Sequence, residues 1–113
     1  MKLEVGMYVR TKNRGIAKFR GWNAYDENKV AIHTHNEGDV EITPVIDKST
    51  IIKASHNIID LIEVGDYVNG ERVVEIEKDG WLSFSADTFN KCNFVDSVVT
   101  KEQFESMSYK VGE

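Results

Sequence analysis

Short runs of alternating apolar and polar residues recur along the chain, and they predict β-strands rather than long helices. Lead-in strands are expected at residues 5–9 and 64–68. Further strands are predicted at residues 16–20, 29–33, 39–43, 51–53, 73–77, 81–84 and 95–99, with a final edge strand at 109–111. In the run 73–77, strict alternation directs Val74 and Ile76 to the core and Glu75 and Glu77 to solvent.

Two segments have helical rather than strand spacing. Residues 55–61 place Ile58 and Ile59 on one side of a helical turn, with Ser55 as the predicted N-cap. Residues 100–107 begin with a capping box in which Thr100 is the N-cap and Gln103 is its partner three residues later. Each half of the chain therefore ends in a short helical turn.

A seven-residue motif occurs twice. Residues 3–9 read LEVGMYV and residues 62–68 read IEVGDYV, so the copies are 59 residues apart. The glycine permits a kink before a short strand, and a polar turn with a second β-rich run follows each copy. Small SH3-like barrels begin in this way.

The sequence thus predicts a mainly β protein of two small SH3-like β-barrel halves that arose from an internal repeat. The first half covers residues 1–61, with its helical turn at 55–61, and the shorter second half covers residues 62–113, with its helix at 100–107. A half of about 55 residues buries little surface by itself. We therefore expect the halves to pack together, with residues 58–64 as their shared seam.

Composition agrees with a globular chain of one domain or two very small ones. Of 113 residues, 41% are hydrophobic and 29% are charged. An apolar run of about 18 residues, which a membrane span would need, is lacking, and the first residues do not resemble a secretory signal. The lone Cys92 excludes an internal disulfide and fits a reducing cytosol.

Charge is distributed unevenly around a formal net of −5. Residues 1–22 carry six basic residues and one acidic residue, a net of +5, whereas residues 23–113 carry eight basic and eighteen acidic residues, a net of −10. The two segments could be solvated surfaces that keep the protein soluble. Alternatively, the first suits a polyphosphate and the second suits a basic protein groove.

Signals for catalysis and for metal binding are weak. The chain has no nucleophile elbow, no phosphate-binding glycine loop and no dinucleotide fingerprint. Cys92 beside Lys91 is interpreted as an inert thiol, and His33 and His35 lack an evident third fixed metal ligand. We therefore predict no enzymatic activity, no catalytic residue, no metal site and no cofactor.

A basic segment near the start suggests nucleic-acid binding as an alternative function. Alternation would place Lys18, Arg20 and Trp22 on one strand face, where cations beside an exposed aromatic ring could hold phosphate and stack a base. The candidate residues are Arg10, Lys12, Arg14, Lys18, Arg20 and Trp22. Against this, Trp22 and Trp81 could be core residues, and the negative net charge opposes attraction of DNA.

A row of carboxylates in the second half favours protein binding. The candidate contacts are Glu71, Glu75, Glu77 and Asp79. Such a row could enter a basic groove of a partner with fast, salt-dependent association. The same residues also serve as the solvent side of an amphipathic strand, and both roles can hold together.

Two segments resemble small, uncharacterised proteins of phages and prophages of low-GC Gram-positive bacteria. They are NIIDLIEVGDYVNG at 57–70 and VVTKEQFESMSYKV at 98–111. The resemblance implies a phage setting, hence the bacterial host cytoplasm, and transfers no site residue. It leads us to expect a non-enzymatic accessory protein that binds and blocks a host protein, with a defence nuclease, as for anti-CRISPR inhibitors, as one candidate.

Overall fold

The computed structural model describes residues 2–84, 91–92 and 94–107. This part of the chain is mainly β, with antiparallel sheets and one α-helix. Its contacts divide the chain into two compact units, Met1–Leu61 (unit 1) and Ile62–Glu113 (unit 2). The edge strand predicted at 109–111 lies outside the described residues.

Unit 1 is built on a five-stranded antiparallel sheet. Its strands are β1 Tyr8–Thr11, β2 Ile16–Trp22, β3 Lys29–His33, β4 His35–Glu37, β5 Val40–Ile42, β6 Val45–Asp47 and β7 Ile51–Ser55. The sheet order is β6-β3-β2-β1-β7, while β4 and β5 pair as a separate two-stranded ribbon. The 3₁₀ helix Lys48–Thr50 joins β6 to β7, and the 3₁₀ helix Ile58–Leu61 follows β7.

The core of unit 1 lies on one face of this sheet. Alternation along β2 turns Ala17 and Phe19 inward, and β3 contributes Val30 and Ile32 in the same way. The remaining buried members of the cluster are Leu3, Val9, Ile46 and Ile51. The alternating apolar residues of β2 and β3 are therefore the ones that face the core.

Unit 2 has a second five-stranded antiparallel sheet. Its elements are β8 Tyr67–Val68, β9 Glu71–Ile76, β10 Leu82–Phe84, β11 Lys91–Cys92, β12 Val98–Val99 and the helix α1 Lys101–Met107. The sheet order is β11-β10-β9-β8-β12. Apolar side chains from its three central strands are buried: Val68, Val73, Leu82 and Phe84.

The two sheets have the same order when their strands are counted along the chain. Counted within its own five-stranded sheet, the first strand lies between the second and the fifth in both units, and the fourth strand forms the opposite edge. A short helix follows the last strand in both cases, a 3₁₀ helix in unit 1 and α1 in unit 2. The β4–β5 ribbon of unit 1 has no counterpart among the described residues of unit 2.

The two copies of the sequence motif also have the same backbone conformation. Gly6 has φ +96° and Gly65 has φ +101°, values that favour glycine. The Gly6 amide donates to the Phe19 carbonyl at 3.1 Å, and the Gly65 amide donates to the Val73 carbonyl at 2.9 Å. In both motifs the glycine amide is therefore hydrogen-bonded to the second strand of its own sheet.

The sheets are open in the part of the chain that the structure describes. The edge strands β6 and β7 do not pair with each other, and neither do β11 and β12. The mainly β class predicted from the sequence is confirmed, whereas the predicted closure into barrels is not seen.

Of the two predicted helix starts, the one at Thr100 is correct and the one at Ser55 is not. The capping box is confirmed, because the Thr100 amide donates to Gln103 Oε1 at 3.0 Å and the Gln103 amide donates to Thr100 Oγ1 at 3.2 Å. In the first half, Ser55 is instead the last residue of β7, and Asn57 Oδ1 accepts from the Ile59 amide at 3.1 Å. The 3₁₀ helix therefore begins later than predicted, at Ile58.

The predicted inward direction of Val74 was wrong. Val73 is fully buried, and Val74 is 41% exposed. Phe84 pairs with Val73 and Ser83 pairs with Glu75, so Val74 is the extra residue of a β-bulge. A bulge shifts the alternation by one residue, which strict period-2 reasoning cannot anticipate.

Candidate binding surface

The hairpin β9–β10 of unit 2 carries most of the acidic row predicted from the sequence. Glu75 is exposed on β9, Glu77 follows the strand end, and Asp79 lies in the connecting turn. Glu75 and Asp79 make no ion pair with any residue that the structure describes. This end of the hairpin carries three carboxylates and one lysine, Lys78, and therefore has a net negative charge.

Two large apolar side chains are exposed on the same hairpin. Val74 is 41% exposed because the bulge turns it outward, and Trp81 is 38% exposed at the start of the returning strand. We call the set Val74, Glu75, Glu77, Asp79 and Trp81 the acidic hairpin surface. It combines an aromatic and an aliphatic contact with carboxylates, unlike a simple solvated strand face.

The turn of this hairpin is held by its own hydrogen bonds. The Glu77 amide donates to the Trp81 carbonyl at 2.9 Å, and the Gly80 amide donates to the Glu77 carbonyl at 3.0 Å. Asp79 Oδ1 accepts from the Trp81 amide at 3.2 Å. The surface is therefore preorganised, which reduces the entropy lost when a partner binds.

Glu71, the fourth predicted contact, lies apart from the other three. It is exposed at the start of β9 and pairs with Val68 next to the Asn69-Gly70 turn. The bulge at Val74 interrupts the inward–outward alternation along β9, so Glu71 and Glu75 do not continue one row of side chains. Glu71 is therefore not part of the acidic hairpin surface.

The basic residues predicted for nucleic-acid binding do not form one surface. Arg10 is fully buried, and its Nη1 donates to the Leu61 carbonyl at 3.0 Å. Arg20 pairs with Glu41 at 2.7 Å between Nε and Oε1. Lys18 lies over the Tyr8 ring, with Nζ at 5.4 Å from its centroid. Lys12 and Arg14 remain exposed in the β1–β2 turn.

Trp22 does not share a face with Lys18 and Arg20. Phe19 pairs with Ile32 and Gly21 with Ala31, so β2 has a bulge that Gly21 accommodates with φ +147°. Trp22 consequently pairs with the buried Val30, and its ring meets the Phe19 ring edge-on at 5.4 Å. Trp22 is therefore a residue of the core rim, 48% exposed, and not a member of the Lys18 face.

His33 and His35 of the first unit make local hydrogen bonds. His33 Nε2 lies 2.8 Å from Asn36 Oδ1, and His35 Nδ1 lies 3.0 Å from Thr34 Oγ1. Within the described ranges, no group of three or more potential ligands could hold a metal ion. The backbone of Cys92 belongs to β11, but its side chain lies outside what the structure describes, so the inert thiol stays a prediction.

Sequence reasoning missed a groove on unit 1. Two cavities of about 510 and about 460 Å³ share Asn28 and Lys48 in their walls. The first is completed by Asp47, Ser49 and Ile51, and the second by Trp22 and Glu27. The only sign of this groove in the sequence is Trp22 followed by a polar loop. Lys48, which completes the groove, comes from a 3₁₀ helix far away in the chain.

Comparison with protein-family models, with curated proteins and with solved structures found no match to this chain. Among the described residues, no helix has both the length and the apolar character that crossing a bilayer requires.

Proposed function

We propose that this chain is a non-enzymatic binding protein that covers a basic surface of a partner protein with the acidic hairpin surface of unit 2. The observation that supports the proposal is the exposure of Trp81 and Val74 on the same hairpin as Glu75 and Asp79, two carboxylates that make no ion pair with any described residue. Tryptophan is enriched among residues that dominate binding energy at protein interfaces. The carboxylates would accelerate association and select a basic partner.

The proposed partner is a host protein, and the proposed setting is the cytoplasm of a bacterium infected by a phage. This part of the proposal depends on the resemblance of residues 57–70 and 98–111 to small phage and prophage proteins. A defence nuclease is the candidate that best combines that setting with a basic binding surface, because nucleases carry positive charge where nucleic acid binds.

We also propose that the two units are duplicated copies of an SH3-like module. The identical strand order of the two sheets supports this, as do the matching hydrogen bonds of Gly6 and Gly65. On this view the first copy gained the β4–β5 ribbon, and the second copy gained the acidic hairpin surface.

The test is a charge reversal on the acidic hairpin surface. A pull-down from infected host extract first supplies the partner, and calorimetry then compares the wild-type protein with the double variant Glu75→Lys/Glu77→Lys. We expect the affinity to fall at least about tenfold, since like charges placed against each other across an interface cost several kcal/mol. The circular dichroism spectrum should be unchanged.

A matched control separates the local from the global effect of charge. The double variant Glu37→Lys/Asp39→Lys changes the net charge equally but lies on the exposed β4–β5 ribbon of unit 1. We expect it to keep nearly the wild-type affinity. Equal affinity of the wild-type protein and the Glu75/Glu77 variant would refute the proposal.

An oligonucleotide titration distinguishes the alternative function. A nucleic-acid-binding module would show an affinity that falls steeply with salt, because phosphate contacts release counterions. The burial of Arg10 and the Arg20–Glu41 pair lead us to expect weak binding. Tight binding with a steep salt slope would favour the alternative over the protein-binding proposal.

A further inference from the structure

We propose that the groove of unit 1 binds an arginine side chain of a partner peptide, with the guanidinium stacked on Trp22 and paired with Glu27. This site lies on a different unit from the acidic hairpin surface and does not depend on the function proposed for that surface.

The groove is preformed. In the loop after β2, Asn23 Oδ1 accepts from the Tyr25 amide at 2.9 Å and from the Asp26 amide at 3.1 Å. The Lys48 amide donates to the Asn28 carbonyl at 2.8 Å and so ties this loop to the 3₁₀ helix after β6. The two cavities, of about 510 and about 460 Å³, fall within the usual range for ligand sites.

Trp22 is placed to receive a cation. The residue is 48% exposed, and the edge-on contact of its ring with Phe19 fixes the ring's orientation. Lys48 Nζ lies 5.1 Å from the centroid, within the distance at which an ammonium is attracted to an aromatic face. Lys48 makes no ion pair with any described residue, so its flexible side chain can leave the ring at little cost.

The charge of the surrounding residues favours a cationic guest. Glu27 lines the same cavity as Trp22 and has no ion-pair partner in the described ranges. Asp47 lines the adjoining cavity and pairs with Lys29 at 3.1 Å. Since Lys29 already neutralises Asp47, Glu27 is the carboxylate available to a guest, and a cation that displaces Lys48 from the ring can pair with it.

Arginine fits these features better than lysine. Its guanidinium is planar, is more weakly hydrated than an ammonium, and stacks on aromatic faces while donating two parallel hydrogen bonds to a carboxylate. A lysine guest would only replace the ammonium of Lys48 with another. We therefore expect the groove to prefer an arginine-containing peptide.

The experiment is a titration of the full-length protein followed by ¹H–¹⁵N NMR. The probes are blocked Gly-Ser-Xaa-Ser-Gly peptides in which Xaa is Arg, citrulline, Lys or Glu. We expect the Arg peptide to shift the indole N–H of Trp22 saturably while leaving that of Trp81 unmoved. Citrulline has nearly the same shape without the charge and should produce no shift.

Two exposed variants sharpen the test, and neither residue lies in the core. Glu27→Gln should weaken binding of the Arg peptide by about two- to fivefold, the range of an exposed ion pair. Lys48→Ala should strengthen it by about two- to fivefold, because the competing cation is removed from the ring.

The result that overturns the proposal is equally specific. Binding of the Glu peptide, or weaker binding after Lys48→Ala, would mean that the groove holds anions through Lys48. The absence of a Trp22 shift with the Arg peptide would also refute the site. None of these outcomes bears on the acidic hairpin surface, so the two proposals fail independently.

Discussion

At the scale of single residues, the two motif copies differ at one informative position. Asp66 is fully buried, and its Oδ2 accepts from the Glu63 amide at 2.8 Å. At the equivalent place in unit 1, Met7 Sδ lies 3.2 Å from the Glu4 amide. The carboxylate is the stronger acceptor, and its Oδ1 also accepts from the Lys101 amide at 2.9 Å, which joins the lead-in turn to α1.

This difference leads to a prediction on stability. Asp66→Ala leaves two backbone donors without their acceptor and should lower the free energy of unfolding by about 2 kcal/mol or more. Met7→Leu removes only a weak sulfur acceptor and should lower it by less than about 1 kcal/mol. Urea unfolding followed by circular dichroism measures both, and equal losses would contradict the role given to Asp66.

At the scale of elements, α1 depends on its first turn. A seven-residue helix is too short to be stable alone, so its cap and its packing decide whether it forms. The Tyr67 and Phe104 rings stack at 4.7 Å, and Lys101 Nζ pairs with Glu63 Oε1 at 2.8 Å. The Thr100–Gln103 capping box completes this attachment.

The capping box can be tested with a matched pair of variants. Thr100→Ala removes the hydroxyl that accepts from the Gln103 amide and should lower the free energy of unfolding by about 1 kcal/mol, as is typical for an N-cap. Thr100→Ser keeps the hydroxyl and should retain most of this stability. Amide hydrogen exchange over residues 101–104 should accelerate in the alanine variant only; equal rates in both would argue against the cap.

Strand bulges show where sequence reasoning about elements fails. The positions of β2, β3 and β9 followed from alternation and turn residues, because those signals are local. The bulges that expose Val74 and turn Trp22 to the core rim depend on how each strand pairs with its neighbour. The alternation of apolar and polar residues in the sequence does not show where a strand will contain the extra residue of a bulge.

At the scale of the whole molecule, each unit is small. Units of about 50 to 60 residues are marginally stable when alone. The sequence therefore predicts that the two units stabilise each other and unfold together. The chain offers a convenient probe, because unit 1 contains Trp22 and unit 2 contains Trp81.

We expect a single unfolding transition. In Trp81→Phe the fluorescence reports unit 1, and in Trp22→Phe it reports unit 2. Adding Asp66→Ala should lower the urea midpoint equally in both backgrounds if the units unfold together. A midpoint that moves only in the Trp22→Phe background would mean that the units unfold independently.

The sequence by itself determined the β class, the repeated lead-in motif and the capping box of α1, because each depends on residues within a few positions of one another. Only the tertiary structure decided that Arg10 is buried, that Glu71 lies apart from Glu75, and that Trp22 and Lys48 line one groove. These outcomes depend on strand pairing and on contacts between residues distant in the chain, and no local pattern encodes them.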